Sequence, residues 1–238
     1  MNLFNNQWET YKKVVDNDYM EHSAASKATK KTLNDWISKR KYDMDAPNLV
    51  DLGCGDLNQM GDFIKNMALN SYTGVDIALP ALNIAAEKLK DVSYKVEWKN
   101  KDLLEWVMLD AKSDSIHILH SAFALHHLTE AQKEMLLRKA RTVIKNEGIF
   151  IWTDVFRPSG EKRCEYLDRY TKRIWDDWKA LNHQQKEMIA NHVTELDWPS
   201  EKGAITTMAL QLGWNLNWLW DGKQHAEATA ILTPTQRH

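Results

Sequence analysis

At 238 residues, 43% of them hydrophobic and 27% charged, the chain is long enough to bury a core as one α/β domain with a cap. A formal charge of −2 leaves no electrostatic footprint for nucleic acid or an anionic membrane. No stretch approaches the roughly 20 apolar residues that span a bilayer, and the start MNLFNNQWET is too polar for a secretion signal, so a cytoplasmic protein is expected.

Residues 5–42 carry no proline or glycine, and Ala25, Ala28, Leu33, Trp36 and Ile37 fall at helical spacing. One or two helices are predicted there, with the lysines among residues 27–31 on a solvated face. Pro47 marks a hinge over 43–48. Strands predicted at 48–52, 72–76, 93–98, 115–120 and 149–154 then alternate with helices at 58–69, 79–90, 103–109 and 129–144. Gly148 is the expected punctuation between the last helix and the last of these strands. Such alternation favours a doubly wound, mostly parallel sheet with helices on both faces. Residues 161–196 contain neither glycine nor proline and read as a long helix or helical pair, stopped at Pro199. A helix at 201–212 and strands at 214–220 and 225–232, joined by a tight Asp221-Gly222 turn, bring the expected strands to seven. The division is an N-terminal helical cover (1–46) and a Rossmann-like domain (47–238), with a helical lid (161–212) between strands five and six.

The chemistry concentrates at strand ends. The run LVDLGCGD, Leu49 to Asp56, is a strand entering a glycine turn, where Gly53 and Gly55 allow a sharp bend and close approach to a ligand. Asp76 follows Gly53 by 76 − 53 = 23 positions, close to the roughly 20 expected of a carboxylate that receives ribose hydroxyls. Asn58 stands where a dinucleotide fingerprint needs its third glycine, which argues against a pyrophosphate cradle. Asp102 can accept from an adenine amino group while the adjacent backbone meets a ring nitrogen. Cys54 and Cys164 lack metal-ligand spacing, and no metal site is expected; Cys54 reads as a small side chain fitted to the turn.

With these residues in place the chain resembles the class I S-adenosylmethionine-dependent methyltransferases, clearly over 48–154 and more loosely toward the end. The resemblance implies that Asp51, Gly53, Cys54 and Gly55 hold the methionine part of the cofactor. It further implies that Asp76 with Ile77 holds the ribose, that Asp102 with Leu103 holds the adenine, and that His120 opens a segment passing beneath the sulfonium. Asp56 and Leu57 depart from the small residues usual after the second glycine. Tyr19, with Tyr11 as competitor, is the aromatic expected to close over the methionine end.

For the acceptor, His22, Arg157, Tyr170 and Trp178 are candidates: His22 for proton transfer, Arg157 for a substrate carboxylate, and the aromatics as a wall. Trp175 and Trp178 are expected to share one helix face. His126 and His127 are candidate general bases because imidazole titrates near neutrality; recurrence of A-L-H-H-L among relatives with different substrates favours a scaffold role instead. The expected activity is methyl transfer from S-adenosylmethionine to an O or N atom of a small molecule, by a monomer or homodimer. Methylation of nucleic acid or protein, and cofactor binding without turnover, are the alternatives.

Overall fold

The protein, described here by a computed structural model over residues 2–40 and 45–235, begins with two helices, α1 (Asn2–Asp16) and α2 (His22–Ser38). Alternation follows as β1 (Asn48–Leu52), α3 (Gly61–Lys65), β2 (Ser71–Asp76), α4 (Leu79–Lys88), β3 (Lys95–Asn100), α5 (Leu103–Leu109), β4 (Ile116–Ala122), α6 (Glu130–Val143) and β5 (Ile144–Arg157). The helical pair α7 (Arg163–Asp177) and α8 (His183–Leu196), a two-residue β6 (Ser200–Glu201), α9 (Lys202–Gln211), β7 (Trp214–Asp221) and β8 (Glu227–Pro234) complete it. Among the described residues no helix is long and apolar enough to cross a membrane.

The strands lie in the order β3-β2-β1-β4-β5-β8-β7, and β6 pairs with the end of β5. The first five are parallel, whereas β8 runs antiparallel to both β5 and β7. The expected seven strands are thus present, with β6 as an added two-residue pairing. Strand order reverses between β1 and β4, which opens a crevice at their carboxyl ends. Leu33 of α2, Ile64 of α3, and Leu82 and Ala85 of α4 pack on one face of the sheet. Trp106 of α5, Leu136 and Leu137 of α6, and Ile205 of α9 pack on the other. Each fully buried leucine contributes about 1.5–3 kcal/mol, so both layers hold the strand ends rigidly. A third cluster, built on Tyr166, Tyr170, Ile174 and Trp178, seats α7 and α8 against Val14, Val155 and Ala226.

Three local expectations change. The helix predicted at 58–69 shrinks to α3 because turns occupy 58–60 and Leu57 takes a left-handed φ of 57°. Gly148 does not end a helix: α6 stops at Val143 and Gly148 lies inside β5, where a Cβ would sit 2.7 Å from Ile144 Cγ2 and 2.8 Å from the His117 carbonyl. Asp221-Gly222 opens a loop over 222–226 rather than a two-residue turn, closed by Gly222 N–H donating to the Glu227 carbonyl at 2.8 Å.

Candidate active site

The glycine turn leaves β1 at Leu52 and is tied back to β2, since Gly53 N–H and Cys54 N–H both donate to the Val75 carbonyl, at 2.8 and 3.2 Å. Gly53 has φ 68°, and a Cβ on it would stand 2.3 Å from Ala124 Cβ. Gly55 has φ 53° and open space around it. The first glycine is therefore required by contact as well as by backbone conformation, the second by conformation alone. Burial pushes the Cys54 thiol well up, followed by the charges of Asp51 and Asp76, which makes it an inert packing group.

Asp76 ends β2 beside this turn. Its carboxylate accepts from Gly55 N–H at 2.8 Å and from Ala78 N–H at 2.7 Å. Burial raises its pKa, and those two backbone donors work in the opposite direction. The carboxylate is thus aimed, and retains lone pairs for further donors. Asp102 caps α5, its Oδ1 accepting from Glu105 N–H at 2.9 Å. Asp76, Ile77, Asp102 and Leu103 line one cleft of about 490 Å³ together with Gly53 and Gly55. His127 and Gln132 form its far wall.

A smaller cavity of about 90 Å³ adjoins it and shares Tyr11, the glycine turn and Phe123. Its floor is a buried pair in which Asp51 Oδ1 lies 2.7 Å from His120 Nδ1, while Tyr72 O–H donates to Asp51 Oδ2 at 3.2 Å. Parallel register places Asp51 opposite His120, so adjacent strands build the pair. Thr29 and Thr153 form one wall, and α2 supplies His22, Ala25 and Ser26. Phe123, at the exit of β4, holds a φ of 53° and lies 4.6 Å from the His22 ring. That strained conformation at a cavity shared by two sites is what ligand-contacting segments display.

His22 is 4% exposed, and neither ring nitrogen has a hydrogen-bond partner. Burial pulls its pKa down to about 4, against a smaller upward pull from Asp18. It is a neutral imidazole facing the smaller cavity. Tyr11 keeps half its surface in solvent, yet protein surrounds its phenol group. That burial, then the charges of Asp56 and Asp76, pushes the phenol up to about 12.

The other sequence candidates lie elsewhere. Tyr19 stacks on Trp178 with centroids 5.0 Å apart, and its hydroxyl accepts from Ala180 N–H at 2.7 Å; Tyr11 is the tyrosine that reaches the cleft. Tyr170 and Trp178 are buried in the cluster under α7, away from both cavities. Trp178 caps α7 and is buried while Trp175 is exposed, so the two share no face. Arg157 donates to the carbonyls of Pro199 and Glu161. His126 is buried, with Nδ1 2.5 Å from Asp154 Oδ1; burial opposes charge on its ring, and Asp154 outweighs this to raise its pKa. No residue of 161–212 lines either cavity, so α1 and α2 form the cover. Thr29, Thr153, Ala78 and Gln132 carried no sequence signal, because only tertiary packing brings them to the rim.

The residues fit the expected cofactor. Gly53 and Gly55 line the cleft with open space around Gly55, Asp76 lines it beside them, and Asp102 and Leu103 belong to the same lining. Residues 49–148 match the family model described as a methyltransferase domain. Among solved structures, the chain is similar to that of the DhpI–SAH complex, at 15% identity over 99% of this chain and 96% of that one, with a TM-score of 0.61. It is also similar to the YcgJ protein from Bacillus subtilis, at 12% identity over 91% and 100% of the two chains, with a TM-score of 0.60. The CurJ carbon methyltransferase shares 13% identity over 84% of this chain and 51% of that one, with a TM-score of 0.59. Curated proteins give no significant sequence match.

Proposed function

We propose that this chain, whose residues 49–148 match the methyltransferase-domain model, is a class I S-adenosylmethionine-dependent methyltransferase that methylates an O or N atom of a small organic molecule. The observation that carries this reading is the small cavity beside the glycine turn, roofed by α2 and floored by Asp51 and His120, where the His22 imidazole has no partner. Its 90 Å³ suits a compact acceptor.

When bound, the cofactor supplies a sulfonium-activated methyl group open to in-line attack. The chain's part is to align and dry the acceptor. Asp76 and the glycine turn hold one end of the cleft, Phe123 divides the two cavities, and α1 with α2 keeps water out. His22 is neutral at pH 7 and accepts a hydrogen bond from the acceptor's O–H or N–H, which directs a lone pair toward the methyl. With a pKa near 4 it orients the nucleophile and is a weak base. Positioning of this kind can supply about 7–11 kcal/mol of barrier reduction.

The reading is tested by incubating the protein with S-adenosylmethionine and panels of amines, phenols and carboxylic acids, and following a gain of one methyl by mass spectrometry. Transfer to one chemical class, weakened in His22→Phe, is the expected result. Transfer only to a polynucleotide, to protein or to carbon, or cofactor binding without transfer to any acceptor, overturns it.

A further inference from the structure

Beyond the far wall of the cofactor cleft, three imidazoles surround one carboxylate oxygen. His126 Nε2, His127 Nδ1 and His192 Nε2 stand 3.8, 3.4 and 3.7 Å from Asp197 Oδ1. These separations are longer than good N–H···O hydrogen bonds. Asp197 Oδ1 accepts no hydrogen bond, although the residue is only 6% exposed. A buried carboxylate oxygen left without a donor is a costly arrangement, and one that calls for an occupant.

The spacing indicates which occupant. Ligands held about 2.0–2.2 Å from a tetrahedral ion lie about 3.3–3.6 Å from one another, close to the separations around Asp197 Oδ1. The ligating atoms of His126, His127 and Asp197 all fall within 4.8 Å of one another. His126 also has the support that a metal-bound imidazole requires: its other nitrogen, Nδ1, meets Asp154 Oδ1 at 2.5 Å, and Asp154 is itself held by Trp152 Nε1–H and Val155 N–H. Such a carboxylate–imidazole pair fixes the tautomer and leaves Nε2 free to coordinate.

The backbone carrying Asp197 is equally constrained. Arg163 donates to the Asp197 carbonyl from Nε and Nη2, at 3.1 and 2.8 Å. Trp198 N–H donates to the His126 carbonyl at 2.6 Å, and buried Lys133 donates to the Trp198 carbonyl and to Ser200 Oγ. Ligands are thereby presented on backbone whose position is already set.

We propose that His126, His127 and Asp197 bind a divalent transition-metal ion of the zinc class, with half-exposed His192 turning in as the fourth ligand. Three nitrogens and one oxygen suit such an ion and not the all-oxygen shells of magnesium or calcium. With four protein ligands the centre is a closed, structural one. It clasps the end of α8 to the turn that follows β4, and so fixes the wall of the cofactor cleft that His127 forms.

The test uses the full chain without a polyhistidine tag, stripped of metal by a chelator and then titrated with Zn²⁺ alone by calorimetry, with metal content measured after dialysis. Co²⁺ serves as a second probe through its tetrahedral absorption bands. One equivalent should bind, and His127→Ala, His192→Ala and Asp197→Asn, each checked for folding by circular dichroism, should weaken binding at least tenfold. His225→Ala, remote and exposed, should bind as the unaltered chain does. Absence of uptake by the unaltered chain would mean that a proton on His126 or a bridging water holds the cluster, and overturns the proposal. So does uptake equal in the unaltered chain and in every folded variant of His127, His192 and Asp197.

Discussion

Asp76 owes its aim to two backbone N–H groups, one from the glycine turn and one from the start of α4. Replacing it with Ala removes a charged acceptor from the cleft together with the partner of both N–H groups, and should weaken S-adenosylmethionine binding by about 1.5–3 kcal/mol; calorimetry giving unchanged affinity in a folded variant contradicts the ribose assignment. His22 makes a different prediction. Its pKa of about 4 in the folded protein lies below the 6.5 of a free imidazole, so the unfolded chain binds more protons between those values. Its contribution is complete above pH 6.5 and declines as pH falls toward 4, by about 3 kcal/mol in all. Denaturant unfolding of the unaltered chain and His22→Phe should therefore diverge over this window, and parallel pH profiles would show that His22 is solvated. Asp76 and Gly53 were legible because their chemistry is local: a turn, a strand end and an interval along the chain. Tyr11 and Tyr19 were not separable that way, since the eight positions from within α1 to the turn before α2 send one to the cleft and the other onto Trp178.

The helices divide the work of covering and buttressing differently from the sequence expectation. Residues 161–212 contain the predicted helical insertion, but α7 and α8 close over a core of their own, where Tyr170 packs beside Tyr166 and Arg173 pairs with buried Glu227 at 2.7 Å. The periodicity of apolar residues shows that a helix has a buried face; it does not say which neighbour that face meets. By contrast α2 lies over the strand ends, with Thr29 Oγ1 3.5 Å from Thr153 Oγ1 and His22 against Phe123. Cofactor product should therefore slow amide exchange in α1 and α2, which line both cavities or the smaller one, and leave α7 and most of α8 unchanged. Exchange measured by mass spectrometry with and without S-adenosylhomocysteine decides this, and slowing confined to 163–196 would restore the insertion as the lid. The loss of most of the helix predicted at 58–69 has a similar origin: Leu57 takes a left-handed conformation and three turn residues follow it before α3 can begin.

Across the whole molecule, alternation of apolar runs and helices predicts a doubly wound parallel sheet, and the ligand position follows from the strand order the structure adds, because the crossovers of β1 and β4 depart in opposite directions. That logic reads topology from the chain without knowledge of any contact. It does not reach features made by distant segments, such as β6, two residues long and paired only because Phe156 and Arg157 extend β5 past the sheet. A site assembled from the ends of several strands couples ligand binding to the stability of the entire domain, since unfolding any central strand dismantles it. Saturation at one hundred times Kd should add about 2.7 kcal/mol of stability. For a chain of this size that is a rise of about 5–10 °C in Tm with S-adenosylhomocysteine. The same ligand concentration should produce most of this shift no longer in Asp76→Ala, whose lost 1.5–3 kcal/mol of affinity offsets the gain. Scanning calorimetry on both proteins separates this from nonspecific stabilisation, which would raise the two transitions equally and would remove the strand-end crevice as the cofactor site.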